Sequence, residues 1–360
     1  MIDRTGSTLL YMQFYQLLKE KLHEYMPGEN LPPERLLCQQ YGVDRTTVRK
    51  ALAMLADEKL IDRRQGSGTR VLAEASAAAS GSCILFALYQ GTRLIDRLGE
   101  PFYARSLDAF ERRLHKMGKR LVYSTLHPGD KLALLCEKME AKGVILAGAV
   151  DEAIIRQLAA LPIPSVTYNS RVSGLPAALA DNAQGAEIIA KYLLSLKHRR
   201  FGFIHVPGYN NADARLESFR RTLLTHGLQE SDLTIAEGDW SELSGYASMK
   251  VLLNANPAIT AVYGGNDSMA AGAIRAAAEA GLRIPGDISI VGFDDIPQAA
   301  GTIPPLTTVR VDIPAMVEGA CMLLFHTYSQ EKMTNINAVI SPMLIERESA
   351  GPCKTASRGR

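Results

Sequence analysis

Few signatures of chemistry appear in the 360 residues, and each absence closes off a class of function. The five cysteines, Cys38, Cys83, Cys136, Cys321 and Cys353, are scattered, odd in number and nowhere spaced C-x-x-C, so neither a disulfide framework nor a zinc site is expected. The seven histidines are dispersed without metal-ligand spacing, and no G-x-S-x-G elbow, G-x-G-x-x-G fingerprint or phosphate-binding P-loop occurs. The expectation is a protein that is not an enzyme and needs no metal or cofactor. No apolar run approaches the roughly 20 residues of a membrane span. The N-terminus lacks a basic start, an apolar block and a small-residue cleavage site, so a cytoplasmic location with no membrane partner is expected.

What is there is the balance of a soluble globular protein, with 47% hydrophobic and 22% charged residues, in a length that calls for two or three domains. The net charge of +2 says little about nucleic acid, because local clustering decides that. Clustering occurs between Arg45 and Arg70, where seven Lys or Arg face three acids.

The first 72 residues read as three helices and a hairpin. Tyr11, Phe14, Leu18, Leu22 and Tyr25 recur every three or four residues, the stripe of an amphipathic helix that stops at Pro27-Gly28. A second helix should open at Pro32-Pro33 and end at Gly42, and Asp44 should cap a third. In that third helix Val48, Ala51, Leu52 and Leu55 form the buried stripe, leaving Arg45, Thr46, Arg49 and Lys50 on the other face. The short turn between helices two and three fits a helix-turn-helix, and EKLIDRRQGSGTRVL alternates about a glycine tip as a two-stranded wing would.

The run from Leu31 to Leu72 resembles the winged helix-turn-helix of the GntR family of bacterial transcription regulators. That resemblance implies double-stranded operator DNA as partner, contacted through Arg35, Arg45, Thr46, Thr47, Arg49 and Gly68. Arg can bridge guanine O6 and N7, while hydroxyls and backbone amides hold phosphates. Lys50, Arg63 and Arg64 are expected on phosphates, where they add affinity without reading sequence. A single arginine is as readily a solvated side chain, and Arg35 taken alone divides evenly between the two roles. Pro33 departs from the family, which usually has a serine there to cap the helix.

Residues 73–81, nearly all Ala, Ser and Gly, are expected to form a linker. From 82 to 348 short apolar runs alternate with helical patterns, then alternate again after LADN at 179–182. This is the pattern of two doubly wound parallel α/β lobes in series, with 349–360 left as an unordered tail. Ligands of such sheets bind at the carboxyl ends of strands, where Asn169, Tyr209, Asn211, Arg215, Asn266, Asp267, Asp294 and Asp295 fall. Asp294 and Asp295 should point in different directions rather than share a proton.

This second region resembles the effector domain of the LacI family and the periplasmic sugar-binding proteins through EPFY, LADNAQGAE, ARLESFRRTL, EGDWSELSGY, the long run from GGNDSM to GFDDI, and PPLTTVRVD. The resemblance implies a periplasmic-binding-protein type I fold with a ligand between the lobes, held by Arg215, Asn266, Asp294 and Trp240, with Phe102 and Tyr103 as a wall and Asn169 and Tyr89 near the mouth. Asp, Asn and Arg suit adjacent sugar hydroxyls, and an indole covers an apolar sugar face. Packing between lobes is the plain alternative for Trp240, a turn cap for Asp294, and core for Phe102 and Tyr103. A GntR reader on a LacI-type sensor is similar to the arabinose-responsive repressors, so the expected function is a homodimeric repressor of carbohydrate-use genes released by a small sugar. The loop from Tyr89 to Glu100 is longer than usual, and Glu100 stands where an Asn is common. A purine or another metabolite as effector, or a ligand that activates or strengthens DNA binding, stays open. A transport protein is opposed by the DNA reader, and an architectural DNA binder would not need a polar cleft.

Overall fold

The computed structural model describes residues 10–22, 25, 28–58, 60–64, 68–72, 82–90, 99–148, 151–326 and 336–353. The expected linker, 73–81, lies outside them, as does the part of the long loop from 91 to 98.

The N-terminal helices are α1 (Leu10–Lys21), α2 (Glu34–Tyr41) and α3 (Arg45–Asp57). Phe14 and Leu18 of α1, with Leu22 just past its end, meet Val48, Ala51, Leu52 and Leu55 of α3 in one apolar core. Gly42 ends α2 at φ 64°, a left-handed backbone that a glycine adopts without Cβ strain. Pro33 leaves α2 without a side-chain cap, as its sequence foretold, whereas Asp44 caps α3 through the Thr47 amide at 2.9 Å. The wing strands β1 (Ile61–Arg64) and β2 (Gly68–Val71) pair antiparallel with Arg64 opposite Gly68. One element was not legible: residues 28–31 run along the far side of β2, with Leu31 N–H on Thr69 O and Gly28 N–H on Val71 O, both 2.8 Å.

The chain divides into two compact units, and the cleft described below falls within the second, residues 85–109, 123–138 and 143–360. The first lobe's sheet runs β13 (Asn337–Ile340), β7 (Ala177–Ala180), β6 (Ser165–Tyr168), β5 (Ala141–Ala147), β3 (Cys83–Tyr89), β4 (Arg120–Leu126). The second lobe's sheet runs β11 (Ser289–Val291), β10 (Ala261–Gly264), β8 (Phe201–His205), β9 (Leu233–Glu237). Strand pairs in both are parallel.

Two expectations need correction. The lobes are not in series. After β12 (Thr308–Arg310) the chain returns to the first lobe as the helix Ile313–His326 and β13, then crosses back through β14 (Met343–Ile345), which pairs antiparallel with β12. Nor is residue 349 the start of an unordered tail. Ser349 is fully buried, its Oγ accepts the Thr307 amide at 2.8 Å, and its carbonyl accepts the Ile290 amide at 2.8 Å. The Cys353 amide reaches Leu196 O at 2.8 Å, while residues 354–360 lie outside the described set. A stretch with little apolar content is held here by backbone pairing that composition does not reveal.

Two glycines place the cleft's far wall. A Cβ on Gly245 would lie 2.1 Å from Met269 O, and one on Gly272 would lie 2.0 Å from Glu242 O. The helices Glu242–Ala255 and Asp267–Glu279 therefore touch backbone to backbone, which brings Trp240 and Asn266, just ahead of each, into contact.

Candidate effector cleft and nucleic-acid interface

On the winged helix, Arg35, Thr46 and Gly68 are exposed, as are Arg45 and Arg49, whose side chains are 70% and 57% accessible. Arg45 Nε and Arg49 Nε both lie 3.0 Å from Glu34 Oε2, and Arg63 Nη2 lies 3.0 Å from its Oε1. Burial pushes the Glu34 carboxyl up, but hydrogen bonds from Arg45 and Arg49 outweigh that and hold it below the usual range. One acid thus gathers the cations of helix and wing that the sequence only listed. Thr47 is a correction. It is buried, and its hydroxyl donates to Asp44 Oδ2 at 2.7 Å, so it closes the helix cap rather than presenting a group to DNA. The Arg64 backbone pairs in the wing; its side chain lies outside the described set.

In the second unit a cavity of about 100 Å³ is lined by Phe102, Tyr103, Asn169, Arg215, Trp240, Asn266 and Asp294, together with Glu100, Arg171, Asn210, Asn211 and Ser268. Tyr89 is the exception among the expected cleft residues. It is buried, and its hydroxyl hydrogen-bonds Asp151, the N-cap of the helix Glu152–Ala160, away from this lining. Phe102 serves wall and core at once, stacking on Tyr168 with ring centroids 6.2 Å apart. Asn169 takes a left-handed φ of 56° at the end of β6.

Arg215 is 3% exposed and crosses the cleft floor. Its Nε donates to Asn182 Oδ1 at 2.8 Å, its Nη1 to Gly265 O at 2.5 Å, and its Nη2 reaches Asp294 Oδ1 at 3.5 Å, while the plane lies 3.6 Å from the Phe293 ring centroid. Burial raises the Asp294 carboxyl to about 6, against the opposing pull of Arg215 and Arg105. Asn266 caps its helix through the Met269 amide at 2.8 Å and donates to Trp240 O at 3.1 Å. It positions Trp240 while retaining a second amide hydrogen. Trp240 sits at φ 75°, edge to face with Tyr209, and its buried indole N–H has no acceptor among the described residues. A buried donor without a partner costs about 1–3 kcal/mol, which an oxygen-bearing ligand would relieve.

Sequence reasoning missed Asn182, Asn210 and Ser268 as parts of this site. Asn182 was visible in LADN, but its role depends on Arg215, 33 residues away, arriving beside it.

Comparison with known proteins matches both regions. The bacterial regulatory protein gntR family model covers residues 10–71, and a periplasmic binding protein-like domain model covers 190–350. The HTH-type transcriptional repressor PurR of Proteus mirabilis is 30% identical over 259 residues, 69% of this chain and 76% of that protein. A ribose-bound LacI family regulator from Enterococcus faecium is similar at TM-score 0.66 and 24% identity, covering 75% of this chain and 100% of that one. The transcriptional regulator CelR in complex with cellobiose is similar at TM-score 0.68 and 23% identity, covering 89% and 100%.

Proposed function

Since the chain belongs to the LacI/GntR-type ligand-responsive transcription repressors, we propose that it represses carbohydrate-use genes and leaves its operator when a small sugar fills the cleft. In this reading it is a cytoplasmic homodimer on a two-fold operator and performs no chemical step. Residues 1–72 read DNA, 73–81 link, and 82–353 sense and dimerise. Arg35, Arg45, Thr46 and Arg49 are the base- and phosphate-facing set, with Gly68 at the wing tip and Arg64 on the backbone.

The observation that carries the sugar assignment is the pairing of an indole whose buried N–H lacks an acceptor among the described residues with Arg215, Asp294 and the asparagines 169, 210, 211 and 266 around one cavity. Such a lining offers fixed donors and acceptors for vicinal hydroxyls and one apolar face. Phe102 and Asn169 line the cleft from the first lobe and Trp240, Asn266 and Asp294 from the second, so a ligand that touches both sides favours one lobe angle. Binding is thereby coupled to lobe angle, and a roughly 100-fold preference for one angle supplies about 2.7 kcal/mol to drive release.

Trp240 is the lone tryptophan, so its emission reports the cleft directly. Titration of the full chain with pentoses, hexoses, disaccharides and purines should give a saturable change with one sugar, lost in Asp294→Ala. Saturation by a purine alone would overturn the sugar assignment.

A further inference from the structure

Among the described residues three chain segments join the lobes: 180–182 out of β7, 310–313 out of β12, and 340–343 between β13 and β14. The cleft reaches the first through Arg215 on Asn182. The second is held at Asp295, together with the segment just past β14. Its Oδ2 accepts Arg310 Nε at 2.7 Å at the end of β12, and its Oδ1 accepts Arg347 Nη2 at 2.6 Å just beyond β14. Its carbonyl accepts Arg105 Nη1 at 3.0 Å, from the first-lobe helix Pro101–Lys116. The Asp295 side chain is only 8% accessible, and the paired guanidiniums hold its carboxyl below the usual range despite burial.

The neighbouring residue is the cleft's own acid. Asp294 and Asp295 occupy left-handed backbone consecutively, φ 103° and 51°, conformations that non-glycine residues hold only when their surroundings impose them. Here the surroundings are explicit. The Asp294 amide is bound to Val309 O at 2.8 Å, the Gly292 amide to Thr307 O at 2.9 Å, and the Ile296 amide to the buried Asp267 carboxylate at 2.8 Å. A segment pinned at every second residue cannot turn Asp294 without turning the peptide that carries Asp295.

We propose that Asp295 is the positioning residue that converts the state of the effector cleft into lobe angle, by gripping the crossover that leaves β12 and the first-lobe helix from the residue adjacent to the ligand-facing acid, with Arg347 bracing it from the second lobe. The proposal rests on the cleft reading above, but it is tested without any sugar. In the full chain with Cys38 and Cys353 replaced by serine, spin labels at Ala159→Cys in the first lobe and Asn254→Cys in the second, both exposed helix positions, report the inter-lobe distance by pulsed dipolar spectroscopy. Asp295→Asn should raise the population of a second distance roughly tenfold, the scale of an allosteric bias. Arg310→Gln, at a half-exposed partner, should move it the same way by less, and Asp287→Asn, which breaks the unrelated Arg283 pair, should not move it. Distance distributions of Asp295→Asn and Arg310→Gln that superpose on the parent, whatever happens to melting temperature, would reduce Asp295 to a stabilising ion pair and overturn the proposal.

Discussion

Arg215 Nε donates to Asn182 Oδ1 at 2.8 Å, so the guanidinium on the cleft floor is anchored to the residue that ends the crossover and opens the helix Asn182–Ser195 of the second lobe. Removing that acceptor strands a buried charged donor, a loss of about 1–3 kcal/mol. Asn182→Ala should weaken the sugar that saturates wild type by roughly 10- to 100-fold in the Trp240 titration, while sugar-free operator affinity holds. An unchanged titration would mean that Arg215 orients itself without Asn182.

On the proposed function, Asp294 should make sugar binding depend on pH. Its carboxyl titrates at about 6 when folded, well above the ordinary carboxylate range, chiefly because it is buried. Between those two values the folded chain holds a proton that the unfolded chain has released, so this group's contribution to stability falls as pH rises through that window. The binding effect runs the other way, because the ionised acid accepts charge-assisted hydrogen bonds from hydroxyls at both oxygens and the protonated acid does not. Sugar affinity should drop roughly tenfold for each pH unit below 6, and Asp294→Asn should bind weakly with a flat profile.

The DNA face separates readers from braces. Arg45→Ala should cost about 1–3 kcal/mol of operator discrimination in an anisotropy titration and leave sugar binding unchanged. Thr47→Ala should instead lower the stability of the winged helix by about 1 kcal/mol in urea, since its hydroxyl serves the Asp44 cap. Loss of operator selectivity in Thr47→Ala at full stability would restore it as a reader.

Ser349 locks the C-terminal segment onto the second lobe. Ser349→Ala unpairs the buried Thr307 amide and should cost about 1–3 kcal/mol, read as a melting temperature lower by several degrees. Unchanged melting would mean the backbone pair to Ile290 suffices.

Much of this was local enough to read from the chain. The α1 stripe of Phe14, Leu18 and Leu22, the Gly42 stop, the Asp44 cap and the alternation of the lobes follow from side-chain period and turn chemistry, which act over a few residues. So did the cleft wall, because strand ends of parallel sheets converge wherever the connections are helical. Tertiary structure decided what distance in sequence hides. Tyr89 was turned away from its expected role by Asp151, and Ser349 was drawn from an expected tail into the core. The return of Ile313–His326 to the first lobe, the gathering of Arg45, Arg49 and Arg63 on Glu34, and the grip of Asp295 on Arg310 and Arg347 all join groups far apart along the chain. Composition fixes which charges exist, but only the packed backbone sets which of them share a dielectric and a distance short enough to matter.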